Sequence, residues 1–242
     1  MLPRAILFDL DDTLISAYRQ PELAWQAVAG EFAAALHPLP AGEVAAAIAA
    51  SWKAFWSDAE RHRRGRLNLF DARIGIVTDA FAAMARAGRP RPPNDLAPHL
   101  ADRYAHYREE QMFLFDGAHT VVDTFRVAGV KLALITNGTG AAQRAKIDRF
   151  DLAHRFHHIQ IEGEHGFGKP DTRAYHHALD VLAVAAQETW MVGDNLEWEI
   201  AAPQRLGIHA VWHDTIGVGL PEGSDVRPDR IIRSLRELLP AS

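Results

Sequence analysis

RAILFDLDDTL, residues 4–14, decides how the rest of the chain is read. Ala5 to Phe8 is a short apolar run of the kind that forms a buried strand, and it ends in an acid-rich turn. Side chains alternate between the faces of a strand, so Leu10 turns to the core while Asp9 and Asp11 look together past the strand end. Two carboxylates side by side are costly unless a cation or a shared proton settles them. The remainder of the chain must supply the reason.

The bulk numbers narrow the field. A chain of 242 residues accommodates one large domain or a domain with a sizeable insertion. Its 48% apolar and 24% charged residues are the composition of a soluble globular protein. A formal charge of -5 gives no basis for general attraction to nucleic acid or to an anionic membrane. The absence of cysteine excludes disulfides, thiolate metal sites and cysteine nucleophiles. Residues 1–12 reach acid too early for a signal peptide and no apolar run approaches a membrane span, so the expected location is cytoplasmic.

After the first strand the pattern turns helical. Helices are expected over 21–36, 43–61, 68–87 and 95–112, the second carrying Trp52, Phe55 and Trp56 on one stripe. This predicts an all-α domain over 16–113, set within a core made of 1–15 and 114–242. In the second part of the core, strands over 131–136, 158–162, 189–193 and 210–213 alternate with helices over 140–150, 171–182 and 196–206. That alternation predicts a doubly wound α/β fold, a parallel sheet covered on both faces. Ligands in such sheets sit at the carboxyl ends of the strands, near the point where strand order reverses.

Four sets of polar residues fall at such ends. Asp9 and Asp11 follow the first strand. Thr136, Asn137 and Gly138 follow the next, offering a hydroxyl, an amide and a glycine backbone open to an anion. Lys169 lies in GFGKPD, and Asp194 in MVGDNLEWE, with Asn195 beside it and Glu199 five residues beyond Asp194. Acids for a hard cation, a lysine, and donors for a phosphoryl group form the inventory that phosphoryl transfer requires.

FDLDDTL, ITNG, GKP and VGDNxxxE, in this order and each after a predicted strand, resemble the motifs of the haloacid dehalogenase superfamily. The helical insertion is similar to the small cap of its phosphatase-rich first subclass, and the first and fourth motifs look most like the branch with N-acylneuraminate-9-phosphatase and pyrimidine 5′-nucleotidases. The resemblance implies a Rossmann-like core and an Mg²⁺-dependent phosphatase acting on a small phosphorylated metabolite through an aspartyl phosphate. It implies Asp9 as nucleophile, Asp11 as general acid and base, Thr136, Asn137 and Gly138 with Lys169 around the phosphoryl group, and Mg²⁺ held by Asp9, Asp194 and the backbone carbonyl of Asp11. Asn195 and Glu199 are expected near the metal, Glu199 standing where many relatives have Asp. A sugar phosphomutase shares all these motifs; a 2-haloacid dehalogenase would need neither Asp11 nor Asp194; a catalytically silent binding protein would not need the intact set.

The chemistry agrees with this division. A carboxylate attacks without losing a proton, whereas Asp11 must first hold one and then accept one, so its neighbours should favour its protonated form. Thr13 is expected to fix the turn and to hydrogen-bond Asp11. GEHGFGKP, residues 163–170, matches GxxxxGK but continues with proline where a P-loop needs Ser or Thr. The glycines at 138 and 140 begin a dinucleotide fingerprint that fails at Gln143. His154, His157 and His158 cluster in sequence, with a solvated helix end weighed above a metal site. The basic run over 61–66 is read as an exposed turn or as anion-binding arginines. Trp52, Phe55 and Trp56 are read as core of the helical part, Lys53 as a surface residue, and Tyr18 and Arg19 as lying where a hinge meets the site.

Overall fold

Strand β1 (Ala5–Phe8) is buried at every position, and its two faces are served by different helices. The computed structural model describes residues 2–18, 20–93 and 95–240, and Arg19 lies outside them. After β1 the chain turns at Asp12, where φ is 60°, and enters the two-residue strand β2 (Ile15–Ser16). It then forms α1 (Pro21–Glu31), α2 (Ala33–Leu36), α3 (Ala41–Ser57), α4 (Ala59–Gly65), α5 (Leu69–Arg86) and α6 (Leu96–Gln111). Strand β3 (Phe113–Leu114) pairs antiparallel with β2. Next come α7 (Ala118–Val127), β4 (Lys131–Thr136), α8 (Gly140–Arg149), β5 (His158–Ile161), α9 (Glu162–His165), α10 (Thr172–Leu182) and β6 (Thr189–Gly193). A π-helical turn over Leu196–Ala201 leads into α11 (Ala202–Gln204), and β7 (His209–His213) and β8 (Arg230–Ile232) follow.

The chain divides into two compact units, one of Met1–Ser16 with Phe113–Ser242 and one of Ala17–Met112. The first holds a six-stranded sheet in the order β5-β4-β1-β6-β7-β8. Every pairing in it is parallel, as the alternation of strands and helices requires. Strand order reverses at β1, whose Phe8 is level with Leu134 on one side and Val192 on the other. Ala5 and Leu7 pack with Ala133, Ile135 and Met191 against Tyr175, Ala178 and Leu179 of α10. Ile6 and Phe8 take the opposite face, where α7 lies on β4 and Phe8 meets Phe156 edge to face. Full burial of each large apolar side chain contributes about 1.5–3 kcal/mol, so this central strand is a strong anchor for the acids at its end.

The second unit is entirely helical among its described residues. Trp25, Val28, Ile48, Ile76, Val77, Phe81 and Leu100 form its core, with Trp25 stacked on Tyr104 at 3.9 Å. Trp52, Phe55 and Trp56 pack against that core, as their helical spacing suggested. The first two expected helices are each broken. The 21–36 stretch divides at Phe32. The 43–61 stretch divides at Asp58, whose side chain accepts from Arg61 N–H at 2.7 Å and caps α4, a local competitor that a mid-helix aspartate commonly offers. Of the basic run, Arg63 and Arg64 pair with Glu60 and Arg61 with Asp79, all on the surface. Lys53 is exposed, and the Arg108 guanidinium lies over Tyr18. Helix α7 and strand β8 have no counterpart among the sequence expectations. No helix among the described residues is long and apolar enough to cross a membrane.

Candidate active site

Asp9 stands at the end of β1 and is 7% exposed. Its Oδ1 is 2.5 Å from Lys169 Nζ and its Oδ2 accepts from Thr13 Oγ1 at 2.9 Å. Thr13 therefore supports Asp9, where the sequence had suggested Asp11. The Thr13 carbonyl is in turn held by His213 Nδ1 at 3.1 Å, tying the turn after β1 to the end of β7. Burial pushes the Asp9 carboxyl above its ordinary range against the opposing pull of Lys169, and Asp11 adds to the rise.

Lys169 is 1% exposed and bridges two acids, with Nζ also 2.8 Å from Glu199 Oε1. Burial alone would discharge it. The paired carboxylates outweigh that effect and hold its pKa above the usual lysine value. Its backbone is fixed as firmly, because Asn137 Nδ2 donates to the Lys169 carbonyl at 2.7 Å and Asn137 Oδ1 accepts from Lys169 N–H at 2.8 Å. Asn137 thus spends its side chain on positioning Lys169. Gly168 lets this happen, since a Cβ there would come within 2.5 Å of Asn137 Oδ1.

The donors expected from Gly138 are likewise committed. Its N–H donates to Glu162 Oε2 at 3.1 Å, and Glu162 is buried at the start of α9. Thr136 Oγ1 accepts from Gln143 Nε2 at 2.5 Å and donates to the Asn137 carbonyl at 3.4 Å, so the amide of Gln143 links it to the acids. Gln143 Nε2 also donates to Asp11 Oδ2 at 2.9 Å. Lys146 Nζ lies 2.8 Å from both Asp11 oxygens. Gln143 and Lys146, three residues apart on α8 and both buried, share one face of that helix. Neither was expected at the site. Position 143, read only as the point where a dinucleotide fingerprint fails, carries an amide that touches both Thr136 and Asp11.

Beyond β6, Asp194 is half-buried and its carboxylate makes no hydrogen bond among the described residues. Burial raises its pKa well above the usual value, and the nearby charges of Glu199, Asp9 and Asp12 raise it further. Glu199 is 1% exposed on the π-helical turn. Its Oε1 meets Lys169 and its Oε2 accepts from Asn195 N–H at 2.8 Å. Both oxygens are occupied, and burial brings its pKa to about 7. Asn195 Oδ1 caps the same turn, accepting from Glu197 and Trp198 N–H. Gly193 makes room for the returning glutamate, for a Cβ there would lie 1.9 Å from Glu199 Cγ.

The donor chemistry fits a hard divalent cation. Asp9 and Asp194 are oxygen donors in mutual repulsion, and the Asp194 carboxylate accepts no hydrogen bond among the described residues. Asn195 and Glu199 have their side chains turned to backbone and to Lys169 instead.

Comparison with known proteins follows the same line. A family model described as haloacid dehalogenase-like hydrolase matches residues 3–207. The chain is 37% identical over 153 residues to a phosphoserine phosphatase of Thermus thermophilus, covering 62% of this chain and 58% of that protein. It is 36% identical over 110 residues to the N-acylneuraminate-9-phosphatase of Rattus norvegicus, covering 45% and 44% of the two chains. The matched stretch thus spans about half the length of these relatives. Among solved structures, the HAD hydrolase YfnB of Bacillus subtilis bound to magnesium superposes with a TM-score of 0.68 and 24% identity, over 98% of this chain and 97% of that one, a likeness of fold.

Proposed function

We propose, for a chain that belongs to the haloacid dehalogenase-like hydrolase family, that it is an Mg²⁺-dependent phosphatase of a small phosphorylated metabolite, a phosphomonoester of a sugar, sugar acid or nucleotide. The observation that carries this reading is the pairing of Asp9 with a buried, charged Lys169 while the Asp194 carboxylate near it has no hydrogen-bond partner among the described residues. Asp9, Asp194 and the backbone carbonyl of Asp11 would hold Mg²⁺, whose charge offsets that of the phosphoryl oxygens when bound.

Asp9 attacks phosphorus, and Lys169 and Thr13 aim its two oxygens and limit its rotation. The bond to the leaving oxygen breaks as Asp11 delivers a proton to it, giving an aspartyl phosphate on Asp9. Asp11 then takes a proton from water, which attacks the same phosphorus and returns Asp9 as a carboxylate. Lys146 and Gln143 position Asp11 before an oxygen is released to take part in each step. Thr136 donates its hydroxyl to a phosphoryl oxygen. The relatives named as phosphatases of a phosphorylated amino acid and of a phosphorylated sugar acid support the substrate class.

The test is hydrolysis of an aryl phosphate with and without Mg²⁺, with Asp9→Asn as control. Metal-dependent release of inorganic phosphate, abolished in Asp9→Asn, is the expected result. Turnover that ignores the metal, or an active Asp9→Asn, overturns the reading. Transfer of the phosphoryl group to a second sugar hydroxyl in place of water would identify a phosphomutase.

A further inference from the structure

We infer that His158, His165 and His177 form a second metal site on the edge strand β5, suited to a transition ion of the zinc class. One ring nitrogen of each lies within 4.8 Å of those of the other two. The three come from different elements, His158 opening β5, His165 closing α9 and His177 in the middle of α10. All three residues are half-buried. The histidine run visible in the sequence does not assemble: His154 faces Asp151 and His157 accepts from Leu132 N–H. His158 alone is shared, and its partners are 7 and 19 residues further along.

The neighbours fix which nitrogens are available. His165 Nδ1 is 3.1 Å from the Ile161 carbonyl, which can only accept, so Nδ1 carries the proton and Nε2 the lone pair. His177 Nδ1 is 2.8 Å from Gln160 Oε1. Gln160 is 1% exposed and its Nε2 donates to the Ala174 carbonyl at 2.9 Å, which settles the amide orientation. His177 therefore also presents Nε2 as a lone pair. His158 Nε2 is buried with no hydrogen-bond partner among the described residues, an arrangement that is costly unless a ligand engages it. Burial and the other two rings lower its pKa, against an opposing side-chain interaction with Gln160.

Outer hydrogen bonds that lock a tautomer and orient the ring are what a histidine metal site uses. Ring packing alone, with centroids 5.0–6.1 Å apart, would not need a buried glutamine holding His177. Ligands on a tetrahedral zinc stand roughly 3.4 Å apart for Zn–N of about 2.05 Å, a closure that small side-chain rotations provide. Three imidazole ligands without a carboxylate favour zinc, nickel or copper over Mg²⁺, whereas Asp9 and Asp194 favour the reverse. The two sites sort ions by donor chemistry. His165 also touches Phe167, two residues before Lys169, so an ion here would tie β5, α9 and α10 around the segment that carries the buried lysine.

The test is calorimetric titration of untagged, metal-stripped protein with Zn²⁺ in excess Mg²⁺, and visible spectroscopy of the Co²⁺-loaded protein. Expected are one ion per chain, an imidazole-ligated Co²⁺ spectrum, and affinity reduced by at least ~tenfold in His165→Gln and in His177→Gln, with Asp194→Asn binding as wild type does. Circular dichroism of the stripped variants establishes that each is folded, and the two lie on different elements. Absence of wild-type binding, unchanged binding in both folded variants, or binding lost in Asp194→Asn overturns the inference.

Discussion

Lys146 Nζ stands 2.8 Å from each carboxylate oxygen of Asp11, so the residue assigned the proton-transfer role is gripped by a cation from the next helix. Proton transfer to a leaving group calls for neighbours that favour a protonated Asp11; the structure supplies an ammonium and an amide instead. The grip fixes position, and an Asp11 oxygen must be released for it to reach a leaving group. Lys146→Met should lower kcat about 10–100-fold with the Mg²⁺ requirement retained, and Asp11→Asn should lower it by about 10²–10⁴-fold. Steady-state kinetics across Mg²⁺ concentrations check both, and a fully active Lys146→Met would show the contact to be incidental.

Lys169→Met leaves Asp9 and Glu199 facing one another in a buried setting. Removing one partner of a buried charge network costs about 3–5 kcal/mol. The loss should be smaller at pH 5 than at pH 8, because Glu199, whose carboxyl sits near 7, can then take a proton. Urea denaturation at the two pH values measures this, and equal losses would count against it.

The buried acids make a pH prediction of definite sign. The folded state keeps on Glu199 a proton that the unfolded chain releases between 4.5 and about 7, and Asp9 and Asp194 are shifted the same way. Their contribution to stability is therefore present at the acid end of this window and lost as pH rises through it. In chelator the thermal midpoint should fall by several degrees across the window, and saturating Mg²⁺ should flatten the slope. A midpoint in chelator that climbs steadily across it would refute the assignment.

Gly193→Ala tests the route of the fourth motif. A Cβ at 1.9 Å from Glu199 Cγ forces the glutamate off Lys169. The expected result is a stability loss of about 1–3 kcal/mol with reduced turnover, followed by chemical denaturation and aryl phosphate hydrolysis. Wild-type behaviour in both assays would mean the turn relaxes freely.

The positions of Asp9, Thr136, Lys169 and Asp194 could be read from the sequence because each follows a short apolar run whose strand character is local. What the polar side chains hold could not. Asn137 clamping Lys169, Glu162 taking the Gly138 N–H and Gln143 reaching Asp11 depend on residues brought together by the order of the sheet. Helix α7 has a clear apolar stripe, Val121, Val122 and Phe125, that follows directly from its Gly117 start. Strand β8 is three residues long and pairs with β7 at the sheet edge, too brief to leave a periodic signal. The break at Asp58 shows why helical spacing overruns, since the stripe continues across a residue whose side chain caps the next helix.

The central place of β1 also sets an order of events during synthesis. The helical unit is contiguous in the chain and can collect its own contacts as it leaves the ribosome. Strand β1 emerges before it, yet its two partners begin only at Lys131 and Thr189. Until Lys131 and the residues after it are made, AILF and the acids beyond it have no sheet to join. The nascent chain must carry an unpaired apolar segment until β4 and β6 arrive, which makes this strand the point where slowed synthesis or a missing chaperone would be felt first.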